Sequence, residues 1–149
     1  MPLNARPIAD QTLDELECVE WGPPTFDSAL ATNIHRLRRL PLKQYGIEDL
    51  RLMIGQQIGL NYLVPRALDH LEAHVLAAGD FYPGDLLASV ARLSDGFWAT
   101  HQILIPRALA AIDAALARVG KVETSEKLPG ELRAARARLA AFIGDSPAG

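Results

Sequence analysis

The middle of the chain reads RLMIGQQIGLNYLVPRALDHLEA over residues 51–73 and RLSDGFWATHQILIPRALAAIDA over residues 92–114. Nine of these 23 aligned positions are identical, and five of the matches fall in a shared L-[VI]-P-R-A-L core. A period of about 40 residues is typical of stacked helix pairs. The alternative is chance similarity between two amphipathic helices, and the shared core argues against it. We therefore expect two HEAT-like helix pairs in the middle of the fold.

The composition also favours helices. Hydrophobic residues make up 49% of the 149 residues but aromatic ones only 6%, which indicates an aliphatic interior. No stretch alternates with period two over the length of a strand. The sequence therefore predicts an all-α fold, a single compact helical domain of about seven helices over residues 1–149. Its ends, residues 1–11 and 144–149, are expected to be flexible.

Capping and stop signals divide the chain into the expected helices. Thr12 and Glu15 have the spacing of a capping box, which places the first helix at about 12–20. Pro83-Gly84 fits the central positions of a type II turn, and Asp85 fits the N-cap of the helix that follows. The other helices are expected at about 26–40, 47–58, 61–75, 86–97, from 100 or 106 onward, and 131–143.

Pro65 and Pro106 occupy equivalent positions in the two copies, and each lies either in the first turn of its helix or at a kink. Their equivalence predicts that the same geometry is used twice. Asn61 favours a position near the first turn for Pro65. A helix that began at Thr100 would instead make Pro106 a kink.

The charge is slightly acidic overall and unevenly placed. The formal net charge is −3, so the chain lacks the overall basic character expected of a nucleic-acid-binding domain. Lys and Arg are absent between Pro7 and His35, where the acidic residues are Asp10, Asp14, Glu15, Glu17, Glu20 and Asp27. One interpretation is solvated helix faces with acids near helix starts. The other is an acidic docking surface for a basic partner.

Signals for catalysis or metal binding are weak. His70 and His74 have the i, i+4 spacing of metal ligands, and His101 could supply a third, but no HExxH pattern accompanies them. Nucleophile-elbow, phosphate-loop and dinucleotide-binding motifs do not occur. The single cysteine, Cys18, cannot form an internal disulfide. We expect no enzyme activity, no metal and no cofactor. Without a signal peptide or membrane span, we expect a cytoplasmic protein.

Several motifs in residues 13–90 resemble the cytoplasmic CdiI immunity proteins of bacterial contact-dependent growth inhibition systems. The resemblance covers about the first two thirds of the chain, and its most specific part is the GDFYPGDLL segment at 79–87. Further matching stretches are Leu50-Arg51-Leu52-Met53-Ile54-Gly55-Gln56, Leu63-Val64-Pro65 with Ala67-Leu68, Leu13-Glu15-Leu16-Glu17 with Trp21, and Arg38 with Pro41-Leu42.

The resemblance implies a small helical protein that binds the C-terminal toxin domain of a cognate CdiA effector. Such a protein blocks the toxin's active site or the access of its substrate, and it has no catalytic residues to carry over. Toxins of this kind are often nucleases, for which an acidic inhibitor would mimic nucleic acid. The expected partner is this protein domain, without direct binding to nucleic acid or membrane, and the free protein is expected to be a monomer or weak dimer.

Exposed acidic and aromatic side chains are the residues most suited to binding a basic protein partner. The residues predicted to bind the toxin are Asp14, Glu17, Glu20, Asp80, Tyr82 and Asp85. The alternative function is a helical-repeat scaffold or self-associating module without a toxin partner.

Overall fold

The computed structural model of the chain describes residues 6–20, 22 and 28–144. Within these ranges there are eight α-helices and four short 3-10 turns, and no β-strand, which confirms the all-α fold. The helices are α1 (Leu13–Glu17), α2 (Ala29–Arg38), α3 (Ile47–Gly55), α4 (Leu60–Ala73), α5 (Asp85–Ala91), α6 (Asp95–Thr100), α7 (Ile105–Leu116) and α8 (Leu128–Gly144). The 3-10 turns are Ile8–Asp10, Leu42–Gln44, Gln102–Leu104 and Val119–Lys121.

The short helix α5 lies at the centre of the fold. All of its residues are buried, and it contacts α3, α4, α7 and α8. Its sequence, DLLASVA, is apolar all round apart from Asp85 and Ser89, which is the pattern of a helix with no solvated face. The surrounding helices present aliphatic side chains to it, so the loop that leads into α5 is fixed by the core.

The helix boundaries fall at different positions in the two copies of the repeat. Arg51 lies in α3, whereas its counterpart Arg92 follows the end of α5. Pro65 lies in the interior of α4, while Pro106 occupies the first turn of α7. The prediction that the two prolines share one geometry is therefore wrong, and so is the position near the first turn for Pro65. Pro106 takes the first-turn position, which is one of its two predicted alternatives. Helix α4 begins at Leu60 after a left-handed Gly59, and α7 begins only at Ile105 after a 3-10 turn.

The single helix expected at 86–97 is also wrong, because Ser94 interrupts it. The Ser94 hydroxyl accepts a hydrogen bond from the Phe97 amide at 3.1 Å and so caps a new helix, α6. The capping box of Thr12 and Glu15 is present as predicted, but α1 ends early at Cys18 in a left-handed conformation. Helix α8 begins at Leu128 and extends to Gly144.

The two chain ends are described only in part. Residues 1–5 and 145–149 lie outside the described residues, as do Phe26 and Asp27 at the predicted start of the second helix. Next to the first of these ends, the amide of Leu42 donates to the carbonyl of Gln11 at 3.0 Å. The 3-10 turn Ile8–Asp10 therefore packs beside the turn Leu42–Gln44.

The predicted type II turn joins α4 to α5. The Asp85 amide donates to the Tyr82 carbonyl at 3.0 Å, and Gly84 has φ 93° and ψ 1°, as the third position of that turn requires. Gly84, and not Asp85, is the N-cap of α5. A Cβ added to Gly84 would lie 2.6 Å from a methyl group of the buried Leu128. The turn therefore demands glycine for both its dihedral angles and its space.

We expect Gly84→Ala to lower the free energy of unfolding by at least about 1–2 kcal/mol, since a left-handed alanine is strained and its Cβ meets Leu128. Urea denaturation followed by circular dichroism measures the change. Gly120→Ala is the control, because a Cβ there meets nothing within 4 Å. Equal stability of the two variants would show that Gly84 is not a constrained position.

Candidate functional site

The six side chains predicted to bind a partner divide between two clusters. Asp14, Glu17 and Glu20 belong to α1 and the residues after it, whereas Asp80, Tyr82 and Asp85 belong to the loop between α4 and α5. Within the described part of the chain, no hydrogen bond or ion pair joins one cluster to the other. The two sets therefore have different surroundings.

Arg38 organises the first cluster. Its guanidinium is only 1% exposed and donates to Asp14 Oδ1 at 2.8 Å and to Glu17 Oε1 at 2.6 Å. The Asp14 side chain is 14% exposed and that of Glu17 is 31% exposed. A buried guanidinium requires such partners, since an unpaired charge is costly to desolvate. These two acids therefore fasten α1 to α2, and little of either carboxylate remains for a partner.

Glu20 differs from its neighbours in the first cluster. It is exposed, and among the described residues it has no ion-pair partner. Together with Glu15 and the exposed Arg39, it lines a shallow surface recess. Its carboxylate is available to a partner in a way that those of Asp14 and Glu17 are not.

Asp85 is the buried residue of the second cluster. It is 2% exposed, and its carboxylate accepts hydrogen bonds from the amides of Gly79 at 2.6 Å and Phe81 at 3.0 Å. Arg51 Nε lies 3.9 Å from the same carboxylate. Hydrogen bonds and a nearby guanidinium make a buried carboxylate tolerable. Asp85 therefore shapes the loop from within, while Asp80 on the outside stays exposed.

Glu48 and Arg51 of α3 support the outer side of this loop. The Arg51 guanidinium donates to both Glu48 oxygens at 2.6 Å, and Glu48 Oε1 also accepts from the Asp80 amide at 2.9 Å. The hydrogen bonds from Arg51 lower the pKa of Glu48, and burial opposes them. A Cβ on Gly79 would meet Glu48 Oε1, so a larger residue there would displace the Glu48 carboxylate that accepts from the Asp80 amide.

Phe81 is the exposed aromatic residue of the loop. Its side chain is 69% exposed, and its ring lies over the guanidinium of Arg51 at 4.3 Å. Tyr82, which the sequence favoured, is half-buried and packs against the core. Its hydroxyl accepts from Arg92 at 3.2 Å, and Arg92 in turn pairs with Glu131 at 2.9 Å. Phe81 is therefore the more exposed of the two adjacent aromatic residues, and toxin binding by Tyr82 stays a prediction.

The supporting residues missed by the sequence analysis carried a signal. Arg51 and Arg92 are the first identical pair of the repeat, and both reach the loop that connects the two copies. One arginine supports Phe81 and the other supports Tyr82. Arg38 and Glu48 belong to no matched pair of the repeat, although Arg38 is one of the residues that carry the resemblance to the immunity family.

The histidine pair lines a groove elsewhere on the surface. His70 and His74 border it together with Arg118, Lys121 and Val122. His101 instead bonds through Nε2 to Asn61 Oδ1 at 2.7 Å. Among the described residues, no group of three or more His, Cys, Asp or Glu side chains could hold a metal ion.

A comparison with protein families decides the identity. The family model of the CDI immunity proteins matches residues 15–112, which is more than half of the chain and includes the second cluster and, of the first, Glu17 and Glu20. The chain belongs to the CDI immunity proteins. No curated protein and no solved structure matches it. Membership implies that this immunity protein binds and neutralises a CdiA toxin. No helix in the described part of the chain is long and apolar enough to span a lipid bilayer.

We expect Arg38→Ala to lower the free energy of unfolding of this immunity protein by about 2–4 kcal/mol, because the buried side chain leaves a cavity and Asp14 and Glu17 lose their hydrogen bonds to it. Urea denaturation measures the loss. Arg39→Ala is the matched control, since Arg39 is exposed and has no ion-pair partner among the described residues. A loss no larger than that of the control would contradict a structural role for the cluster.

The Glu48 contacts predict a pH dependence of stability. The folded-state pKa of Glu48 is lowered by its hydrogen bonds from Arg51, so its stabilising contribution is fully present above the ordinary glutamate value of about 4.3. That contribution is lost as the pH falls through the lower folded-state value. We therefore expect the stability difference between the natural protein and Glu48→Gln to shrink below about pH 4.

Denaturation at several pH values measures this difference. Glu126→Gln is the control, because Glu126 is exposed and has no ion-pair partner among the described residues. A difference that grew on acidification would have the wrong sign for a carboxylate stabilised by Arg51.

Proposed function

We propose that this protein neutralises the C-terminal toxin domain of one cognate CdiA effector by binding it in the cytoplasm as a 1:1 complex. The observation that carries the proposal is the family match over residues 15–112. Binding covers the toxin's active site or the access of its substrate, and the immunity protein performs no catalytic step. It is a monomer or weak dimer before it meets the toxin.

The toxin is a nuclease in this proposal, and charge supports that choice. A nuclease must attract a polyanion and therefore presents a basic surface. The immunity protein has a formal net charge of −3 and an N-terminal region without Lys or Arg between Pro7 and His35. Opposite charge accelerates the encounter of two proteins and helps to exclude wrong partners.

Toxin contact by Asp14, Glu17, Glu20, Asp80, Tyr82 and Asp85 stays a prediction, and their surroundings rank them. Glu20 and Asp80 are exposed, so their carboxylates can approach a basic surface. Asp14 and Glu17 are engaged by Arg38, and Asp85 is engaged by the loop amides. We therefore expect Glu20 and Asp80 to make direct contacts, and the other acids to act by holding the surface in shape.

Co-expression tests the function directly. Cells that produce the toxin domain encoded beside this gene should survive when the immunity protein is produced at a matched level, and should die when it is absent. Continued killing at matched levels would reject the proposal. A stable homo-oligomer in sedimentation, with no complex on addition of the toxin, would favour the self-associating scaffold instead.

Salt dependence tests the electrostatic part. We expect the association rate constant to fall by about tenfold or more between about 0.05 and 0.5 M NaCl, because salt screens the attraction of exposed charges. Stopped-flow or surface plasmon resonance measures it. Asp80→Asn should weaken the salt dependence, whereas Glu126→Gln is the control of equal charge change. A rate constant independent of salt would contradict recognition through an acidic surface.

A further inference from the structure

The loop at 79–85 presents an exposed aromatic side chain on a rigid support. A phenyl ring that is 69% exposed in the free protein, such as that of Phe81, leaves apolar surface in water. One face of this ring is covered by Arg51 at 4.3 Å, a cation–π contact that restricts how the ring can lie. The other face and the edge remain open to a partner.

The backbone beneath the ring is held in place by two carboxylates. Asp85 accepts from the amides of Gly79 and Phe81, at 2.6 Å and 3.0 Å, and Glu48 accepts from the amide of Asp80 at 2.9 Å. Three consecutive amides are thus bonded to side chains that the core fixes. Because the loop is already ordered, little conformational entropy remains to be lost on binding.

The charges beside the ring describe the surface that would meet it. The Arg51 guanidinium is paired with the carboxylate of Glu48, and the carboxylate of Asp85 is buried beneath the loop, so the exposed carboxylate of Asp80 is the unbalanced charge at the surface. The immediate surroundings of Phe81 are therefore negative on balance. A second copy of the same loop would be repelled in a symmetric contact, which pairs identical patches. A basic surface with an apolar pocket would be attracted.

We propose that Phe81 is the anchor of the toxin interface. Its ring enters an apolar pocket on the toxin that is bordered by Lys or Arg side chains, and Asp80 lies opposite that basic border. Rigid aromatic anchors at the centre of a desolvated contact, flanked by charge, contribute most of the binding energy in many interfaces. This inference rests on the proposed function, because it names the residue through which the toxin is held.

Substitution of the ring tests the proposal. We expect Phe81→Ala to raise the dissociation constant for the purified toxin domain by about 30-fold or more, and Phe81→Leu to raise it less. Isothermal titration calorimetry or surface plasmon resonance measures both. Ile103→Ala is the matched control, because Ile103 is an 86% exposed apolar side chain on a different element. Its affinity should stay within about threefold of the natural protein, as surface substitutions away from an anchor usually do.

The possible outcomes distinguish failure of the Phe81 proposal from failure of the proposed function. The urea midpoint of Phe81→Ala should match that of the natural protein, so that a lost interaction is not a lost fold. If the natural protein binds the toxin and Phe81→Ala binds it within about threefold, the anchor is rejected and the proposed function stands. If the natural protein does not bind the toxin, both are rejected. If Phe81→Ala abolishes self-association and leaves toxin binding unchanged, the ring serves a second copy and the anchor is rejected.

Discussion

The buried carboxylate of Asp85 is the constraint on which the loop at 79–85 depends. A charge that is 2% exposed must be compensated, and here the backbone amides of Gly79 and Phe81 compensate it together with Arg51 at 3.9 Å. The loop backbone consequently surrounds the Asp85 carboxylate. Gly84 is required because the turn into α5 has a positive φ, and Gly79 lies against the Glu48 carboxylate of α3. Since α5 is the central helix, the exposed side of this loop is fixed by the hydrophobic core beneath it.

The second charge cluster follows the same principle with the signs exchanged. Arg38 is the buried group, and Asp14 and Glu17 surround it. In both clusters, acidic side chains that the sequence suggests are free to bind a partner instead stabilise the fold. Fewer carboxylates therefore face solvent than the composition suggests. Glu20 and Asp80 are among the acids that stay exposed.

The internal repeat predicted more symmetry than the fold contains. The two copies share nine of 23 positions, but their helices begin at different positions. Pro65 therefore lies in the interior of its helix, and Pro106 lies in the first turn of its own. Helix boundaries depend on single capping residues, and the copies differ at those residues: Gly59 precedes α4, whereas Ser94 starts an additional helix in the second copy. What the copies retain in common is their leading arginine. Arg51 and Arg92 both reach the loop between them, where Arg51 contacts Phe81 and Arg92 contacts Tyr82.

Local spacing in the sequence was sufficient for the all-α fold, the capping box at Thr12, the type II turn at Pro83-Gly84 and the resemblance to an immunity family, because each depends on residues close together in the chain. Only the tertiary structure decided which acids are free and which aromatic side chain is exposed. Those outcomes depend on contacts between distant residues, such as Arg38 with Asp14 and Arg92 with Glu131. A single sequence does not encode such pairs in any local period. Phe81 and Tyr82 are adjacent and chemically alike, and only the packing of the folded chain leaves the Phe81 ring exposed and places Tyr82 against the core.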